Sequence, residues 1–229
     1  MTTTESVPTE AGPGAGEVRV HNLTMSVDGY CAGPGQSLDD PMGRGARALH
    51  EWALATRTFR RMFGAEGGSD GLDERFAAAG DVGVGATIMG RNMFGPVRGP
   101  WPDESWRGWW GERPPYGHPV FVLTHHDRPS LTMEGGTVFH FVTGGPVEAL
   151  ELARAAAHGA AVRSGGGAAT VATYLALGLV DHLHVALAPV LLGAGERPFA
   201  RVDAPGAGYR VAEVVAGEGA THITITRAP

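Results

Sequence analysis

This chain has one cysteine, few charged side chains and no long apolar run, and each shortage excludes a class of protein. Cys31 alone cannot form an internal disulfide, so a disulfide-stapled secreted domain is excluded and a reducing compartment, the cytoplasm, is expected. No apolar run approaches the ~20 residues that cross a bilayer, so no membrane partner is expected. Charged residues are 18%, the net charge is -6 and no dense Lys/Arg cluster occurs, which argues against a nucleic-acid partner.

The N-terminal residues differ in composition from the rest of the chain. They read MTTTESVPTEAGPGAG, which has neither the basic start nor the apolar core of a signal peptide. We predict a disordered tail over residues 1–16 and a single domain over residues 17–229, because the remaining length suits one globular unit.

Predicted strands and helices alternate along that domain, which indicates an α/β fold with a mixed, mainly parallel sheet flanked by helices. Strands are expected at residues 18–27, 82–89, 119–124, 137–142 and 182–190, with a further one leading into residue 165. Helices are expected at residues 44–63, 73–79, 146–158 and 168–177. Residues 208–216 and 221–227 are predicted to form a closing antiparallel hairpin at one edge of the sheet.

Residues 162–170, VRSGGGAAT, are the most informative stretch, because an apolar strand runs into three glycines and then a helix. Glycines let a ligand approach the backbone, and the first N–H groups of a helix suit a phosphate or pyrophosphate. A tight strand-to-helix turn would use the same letters, and glycine is common here, with 36 in the chain. The nucleotide interpretation therefore needs support from other segments.

That support comes from where the other polar segments fall. Ligands of such sheets bind at the carboxyl ends of the strands. Four segments follow predicted strands and are expected to meet at one edge, namely residues 26–29, 90–94, 124–128 and 164–170.

The ordered set of motifs resembles the dihydrofolate reductase-like family, in the branch similar to the C-terminal reductase domain of bacterial riboflavin-biosynthesis enzymes. The segments that carry the resemblance are SVDG (26–29), IMGRNMF (88–94), VLTH (122–125), GGG (165–167), GLVDHLH (178–184) and APVLLGAG (188–195). The resemblance implies a homodimer that binds NADPH and transfers a hydride to a small heterocycle or another unsaturated compound. No zinc deaminase signature accompanies it.

The resemblance also implies which residues hold NADPH. The turn at residues 90–93 matches a Gly-Arg-x-Thr segment near the cofactor phosphates, and Asn92 and Met93 stand where relatives have Lys and Thr. Thr124 and His125 match the position that reads the adenosine 2′-phosphate, where relatives have Ser or Thr with Arg, so the histidine leaves the choice of NADPH over NADH less strictly implied. The full expected set is Thr24, Gly90, Arg91, Asn92, Met93, Thr124, His125, His126, Ser164, Gly165, Gly166, Gly167, Ala168 and Thr170.

The sequence indicates the residues that bind substrate or supply a proton less clearly than those that hold the cofactor. Hydride transfer usually needs a proton as well, from a side chain or from water. Asp28 and Glu51 are the candidate catalytic carboxylates, although Asp28 is equally typical of a turn. Candidate substrate contacts are Tyr30, Trp52, Trp109 and Trp110, the last two in a tryptophan-rich loop over residues 95–117 that suits either a lid over a flat ring or a packed flap.

Two other functions stay open. A metal-dependent hydrolase would use His182 and His184, which share one face of a strand, but neither HExxH nor CxxC accompanies them and no metal is expected. A non-catalytic nucleotide-binding protein of the same fold would explain the loss of the Lys-Thr pair at Asn92 and Met93.

Overall fold

The computed structural model describes residues 16–96, 98–200, 202 and 208–228. Within them the chain forms nine strands of one sheet. The strands are β1 (Val18–Ser26), β2 (Val84–Gly90), β3 (Pro119–Leu123), β4 (Leu131–Thr132), β5 (Val138–Val142), β6 (Ala161–Gly166), β7 (His182–Ala188), β8 (Tyr209–Ala216) and β9 (Thr221–Arg227).

The strand order in the sheet is β4-β5-β3-β2-β6-β1-β7-β9-β8. The six central strands, from β5 to β7, pair in parallel, whereas β4, β9 and β8 join antiparallel at the two margins. The predicted mixed, mainly parallel sheet and its C-terminal antiparallel hairpin are therefore confirmed.

Six α-helices accompany the sheet in the described residues. They are α1 (Glu51–Leu54), α2 (Arg57–Met62), α3 (Leu72–Ala79), α4 (Arg91–Phe94), α5 (Pro146–Ala157) and α6 (Ala168–Ala176). Two 3-10 turns, Ala46–His50 and Glu134–Gly136, complete the regular structure.

The prediction of one helix over residues 44–63 is wrong, because the segment is divided into a 3-10 turn, α1 and α2. The division falls at Thr56, whose backbone is extended (ψ 156°) and whose hydroxyl accepts a hydrogen bond from the Phe59 N–H at 3.3 Å. A threonine in this role is an N-cap, so a new helix starts there although the apolar spacing continues.

Each face of the sheet has its own core. On the α5/α6 face, Val20, Ile88, Val162 and Val185 pack with both of those helices. On the α1/α3 face, Trp52 and neighbouring alanines of α1, α3 and β7 form a second, smaller cluster. Burial on both faces explains why the central strands read as near-continuous apolar runs.

No helix among the described residues is long and apolar enough to cross a membrane. The predicted disordered tail over residues 1–16 lies, apart from Gly16, outside the described residues.

Candidate functional site

The four polar segments do meet at one edge, because they follow β1, β2, β3 and β6, which are neighbours in the sheet. Gly90 at the end of β2 pairs with Leu123 at the end of β3, and Met89 pairs with Gly166 at the end of β6. We call this margin, formed by the ends of the parallel strands and the residues that follow them, the carboxyl edge. Parallel strands deliver their carboxyl ends to the same side, as the sequence predicted.

Two glycines of this edge, Gly90 and Gly166, are required by close packing. A Cβ at Gly90 would lie 2.5 Å from Thr170 Oγ1, and a Cβ at Gly166 would lie 3.0 Å from Met93 Sδ. Gly166 also has a φ of +112°, and its peptide bond to Gly167 is cis. Gly167 then caps α6 without a side chain, so the first N–H groups of α6 are presented beside bare backbone.

Two residues beside this loop carry hydroxyl groups. Ser164 is 2% exposed and its Oγ has no hydrogen-bond partner. Thr170, in the first turn of α6, is 7% exposed. Ala168, Gly165, Ser164 and Thr170, all expected near the cofactor, are thus brought together with Gly90 and Met93.

Arg91 and Arg128 form a cationic pair around Trp101. The Cζ atom of Arg91 lies 3.7 Å from the centre of the indole and that of Arg128 lies 4.9 Å from it. Arg128 is 5% exposed and its Nη2 donates to the carbonyl groups of Glu104 and Trp106, while Arg91 Nη1 donates to the Gly99 carbonyl.

Much of this pair's hydrogen-bonding capacity is unused. Arg91 Nε and Nη2, and Arg128 Nε and Nη1, are buried without a hydrogen-bond partner. Burial lowers the pKa of both guanidinium groups, and that of Arg91 is lowered further by Arg128. A buried and a half-buried cation that repel each other and keep free donors are the arrangement that an anion stabilises.

A cavity of about 560 Å³ opens beside Arg128. Its lining includes Trp101, His125 and His126. The Thr124 hydroxyl closes a local turn there, because its Oγ1 accepts from the His126 N–H at 3.1 Å and donates to the His126 carbonyl at 3.2 Å.

Asn92 and Met93, the two substitutions in the Gly-Arg-x-Thr segment, have their own contacts. Asn92 Nδ2 donates to Gln36 Oε1 at 2.9 Å, and Met93 is 40% exposed. Asn92 therefore ties the start of α4 to the loop that follows β1.

The end of β1 holds the candidate catalytic residues in different ways. The Asp28 carboxylate accepts from the N–H groups of Leu192 at 3.1 Å and Gly193 at 2.6 Å, which ties the loop after β1 to the loop after β7. Hydrogen bonding, chiefly from the Ser26 hydroxyl, lowers the Asp28 pKa to about 2. Glu51 is exposed at the first position of α1.

The expected substrate contacts are divided between core and surface. Trp52 is 3% exposed, and its indole N–H donates to Thr24 Oγ1 at 3.1 Å. The Tyr30 hydroxyl donates to the Gly193 carbonyl and accepts from Arg197. Both residues therefore bind other parts of the protein as well as lying near the end of β1.

The tryptophan loop reaches across to the second helix. Trp110 stacks on Phe63 with ring centres 5.2 Å apart, although Phe63 is 60% exposed. Trp109 packs edge-on against Trp106, whose N–H donates to the Phe94 carbonyl. The loop is thus a flap that bridges the two sides of the α1/α3 face.

His184 belongs to a buried chain that the sequence did not reveal. His184 Nε2 lies 3.0 Å from His222 Nδ1, and His222 Nε2 lies 2.8 Å from Asp73 Oδ1. We call Asp73, His222 and His184 the histidine chain. Both ring nitrogens of His184 are used, the other by the Asn22 N–H, so it cannot bind a metal without breaking this chain. Among the described residues, no group of three or more His, Cys, Asp or Glu side chains is placed to hold a metal ion.

The architecture is that of the dihydrofolate reductase-like folds. Among solved structures, the chain is similar to a putative riboflavin biosynthesis protein from Shewanella sp. PV-4, with 20% identity, a TM-score of 0.58 and coverage of 94% of this chain and 99% of that one. It is also similar to dihydrofolate reductase from Enterococcus faecalis, solved with NADP(H), at 15% identity and a TM-score of 0.50, covering 94% and 98% of the two chains.

A third similar structure is the diaminohydroxyphosphoribosylaminopyrimidine deaminase/5-amino-6-(5-phosphoribosylamino)uracil reductase of Thermotoga maritima. Identity is 11% and the TM-score 0.53, and the match covers 93% of this chain but 57% of that one. No curated protein sequence matches the chain.

The sequence itself identifies the family. Residues 20–216 match the RibD C-terminal domain family. The chain belongs to this family, as its motifs predicted, and the membership supports an oxidoreductase of the pyrimidine- or folate-reductase type.

Proposed function

We propose that this protein is an NADPH-dependent reductase that transfers a hydride to a small heterocyclic or otherwise unsaturated compound, of pterin, pyrimidine or specialised-metabolite type. The observation that carries the proposal is the cationic pair at the carboxyl edge. Arg91 and Arg128 hold four buried nitrogens without partners, and Arg91 follows Gly90, where a Cβ would lie 3.8 Å from the Gly167 nitrogen of the glycine loop. A nucleotide with separate phosphate groups matches both features.

The residues present fit the cofactor by their chemistry. The glycine loop and the first turn of α6 suit the pyrophosphate, because Gly167 leaves open space at the start of α6, where a Cβ would meet nothing within 4 Å, beside the first N–H groups of the helix. Arg91 and Arg128, with Thr124, suit the adenosine 2′-phosphate. His125 and His126 line the cavity beside Arg128, which Asp103, Glu104 and Asp127 also line. Ser164 supplies a buried hydroxyl without a partner toward the nicotinamide end.

When bound, NADPH would supply the hydride, and the protein's own residues then determine orientation and proton supply. The hydrogen bonds that lower the Asp28 pKa to about 2 keep this carboxylate ionised at neutral pH. An ionised carboxylate accepts hydrogen bonds, so Asp28 would orient substrate rather than protonate it. The proton would come from Glu51, exposed on α1, or from water.

Four aromatic residues extend the proposal to the substrate. Trp109 and Trp110 on the flap, with Tyr30 and Trp52 near the end of β1, would enclose a flat ring. Assembly as a homodimer, which derives from the family resemblance, and residence in the cytoplasm, which the single cysteine suggests, belong to the same proposal.

The test is a fluorescence titration with NADPH and NADH that uses the tryptophans as reporters. Replacing Arg91 (Arg91→Met) removes charge-assisted hydrogen bonds to the 2′-phosphate, so we expect the NADPH dissociation constant to rise about 10- to 100-fold and that for NADH to change little. Arg154→Met, on the exposed side of α5, is the matched control and should leave both constants unchanged.

Each outcome of the titration has a distinct meaning. If wild-type protein binds neither nucleotide, the reductase proposal fails. If NADPH binds but is never oxidised across a screen of reducible heterocycles, the protein is the non-catalytic nucleotide-binding alternative. A metal-dependent hydrolase has no support from the geometry, since both ring nitrogens of His184 already accept or donate hydrogen bonds.

A further inference from the structure

Strand β1 contains one residue more than the facing stretch of β7. Val20 pairs with Leu183 and Leu23 pairs with Val185, so three steps along β1 face two along β7. Asn22 within this interval has a φ of 57°, a left-handed conformation that asparagine tolerates better than most residues. The extra residue is a β-bulge.

The bulge changes which face the following side chains occupy. Before it, Val18 and Val20 pack on the α5/α6 face. After it, Thr24 lies on the opposite face, where its Oγ1 accepts the Trp52 indole N–H. Because side chains alternate with a period of two, a regular β1 that kept all of its residues but had no bulge would turn Thr24 and Ser26 to the α5/α6 face.

A backbone N–H in a bulge has lost its ladder partner and needs another. The Asn22 N–H donates instead to His184 Nδ1 at 3.1 Å. This single bond fixes the protons of the histidine chain. His184 Nδ1 accepts, so its Nε2 carries the proton and donates to His222 Nδ1, and His222 Nε2 then donates to Asp73 Oδ1.

The histidine chain ends at Asp73 in α3, which is bonded to the turn between β8 and β9. Asp73 Oδ2 accepts from the Gly219 N–H at 2.8 Å. His184 and His222 are 0% exposed and Asp73 is 2% exposed. Phe76 stacks on both imidazoles with ring centres 4.7 and 4.1 Å away, which leaves the rings no freedom to rotate.

We propose that Asp73, His222 and His184 are positioning residues, which hold the bulge of β1 and thereby keep Thr24 and Ser26 on the face that Trp52 and α1 cover at the carboxyl edge. The sequence of hydrogen bonds along the histidine chain gives each of its three residues a separate structural role. His184 satisfies the displaced N–H, His222 fixes the tautomer of His184, and Asp73 fixes that of His222. The proposal rests on the proposed function only for the expectation that Thr24 lies beside the nicotinamide.

The test follows the NMR resonance of the Trp52 indole N–H. This resonance is assigned because it is absent from the spectrum of the Trp52→Phe variant. His184→Leu leaves the Asn22 N–H without an acceptor, so we expect the Trp52 N–H resonance to move and its hydrogen exchange to accelerate at least about tenfold. His184→Asn should restore slow exchange, because the amide oxygen of asparagine lies where Nδ1 of the imidazole lies. Val185→Ala, which thins the α5/α6 face at the next position of β7, is the matched control and should leave the Trp52 resonance in place.

A folded His184→Leu protein with an unchanged Trp52 resonance would overturn the proposal. If that variant does not fold, ¹⁵N spectra of the histidines in wild-type protein decide. Neutral rings protonated at Nε2 on both His184 and His222 support the chain, and a proton on Nδ1 of either ring overturns it. None of these measurements needs NADPH, so a failure of the proposed function is seen separately, in the nucleotide titration.

Discussion

The carboxyl edge and the histidine chain are both built from buried polar side chains, but they differ in how those side chains are satisfied. At the edge, Ser164 and the guanidinium groups of Arg91 and Arg128 keep buried atoms without a partner. In the chain, every ring nitrogen and both carboxylate oxygens of Asp73 have one. Unsatisfied buried groups cost free energy unless something outside the protein completes them.

The two regions also differ in charge. The edge places two arginines around Trp101, with Asp103, Glu104 and Asp127 in the lining of the adjoining cavity, in a protein whose net charge is -6 and whose sequence contains no lysine. The two imidazoles of the chain are neutral, because Nδ1 of each accepts a hydrogen bond. We infer that the edge is built to bind an anion, whereas the chain is built to hold the protein's own backbone.

Acid should first destabilise the histidine chain together with His21, whose ring centre lies 4.6 Å from that of His184. Burial, reinforced by neighbouring positive groups, lowers the pKa of His21 to about 3 and that of His184 to about 2. In the unfolded protein these imidazoles have a pKa near 6.5, so below that pH the unfolded state binds protons that the folded state does not bind. The stability that they contribute is therefore full above pH ~6.5 and is lost as the pH falls. Two such groups remove about 3 kcal/mol of unfolding free energy per pH unit, or about 5 kcal/mol between pH 7 and pH 4.5.

Urea unfolding at a series of pH values measures this loss. His21→Gln keeps a donor for the Phe76 carbonyl but cannot titrate, so it should remove about half of the slope. The same substitution at exposed His125 is the control and should leave the slope unchanged. An equal slope in the His21 variant and wild type would contradict the assignment.

Removing the carboxylate at the end of the chain should be the next largest effect. Asp73→Leu leaves the His222 Nε2–H and the Gly219 N–H buried without an acceptor, so we expect a loss of about 3 kcal/mol of unfolding free energy. Asp70→Leu removes an aspartate of the same region whose ion pair with Arg57 is 69% exposed on the Asp70 side, and should cost less than about 1 kcal/mol. Equal losses in the two variants would mean that the chain contributes no more than a surface ion pair.

The sequence predicted the carboxyl edge far better than the histidine chain. The reason is that the edge follows from local patterns, whereas the histidine chain joins residues that are far apart in the sequence. The glycine triplet, the Gly-Arg turn and Thr124 each follow a strand directly, so a local pattern plus the rule for parallel sheets places them together. Asp73 and His222 are 149 residues apart, and each lies in an element whose pattern is ordinary. Only the pairing of β7 with β9 and the packing of α3 bring them into contact.

The same distinction explains the smaller differences. The break at Thr56 depends on a hydroxyl competing with helical spacing, a choice that apolar periodicity does not record. Arg128 lies in the segment 124–128 that the sequence predicted at the edge, but its stacking on Trp101 depends on a flap without periodicity. The bulge at Asn22 leaves no local signature beyond one asparagine, although it decides which way Thr24 faces.

The smallest predicted effect separates the two regions most clearly, because one variant should move stability and nucleotide binding in opposite directions. Ser164→Ala removes a buried hydroxyl that has no partner, so the unfolding free energy without nucleotide should stay unchanged or rise by up to about 1 kcal/mol. If NADPH completes that hydroxyl, the same variant should weaken NADPH binding by about 1 kcal/mol, or roughly fivefold. Urea unfolding with and without saturating NADPH measures both, and Thr87→Ala on β2, which removes a hydroxyl bonded to His118, should instead lower stability in both conditions. If the Ser164→Ala protein loses stability without NADPH, the Ser164 hydroxyl has a hydrogen-bond partner within the protein, as the side chains of the histidine chain do, and is not available to a ligand.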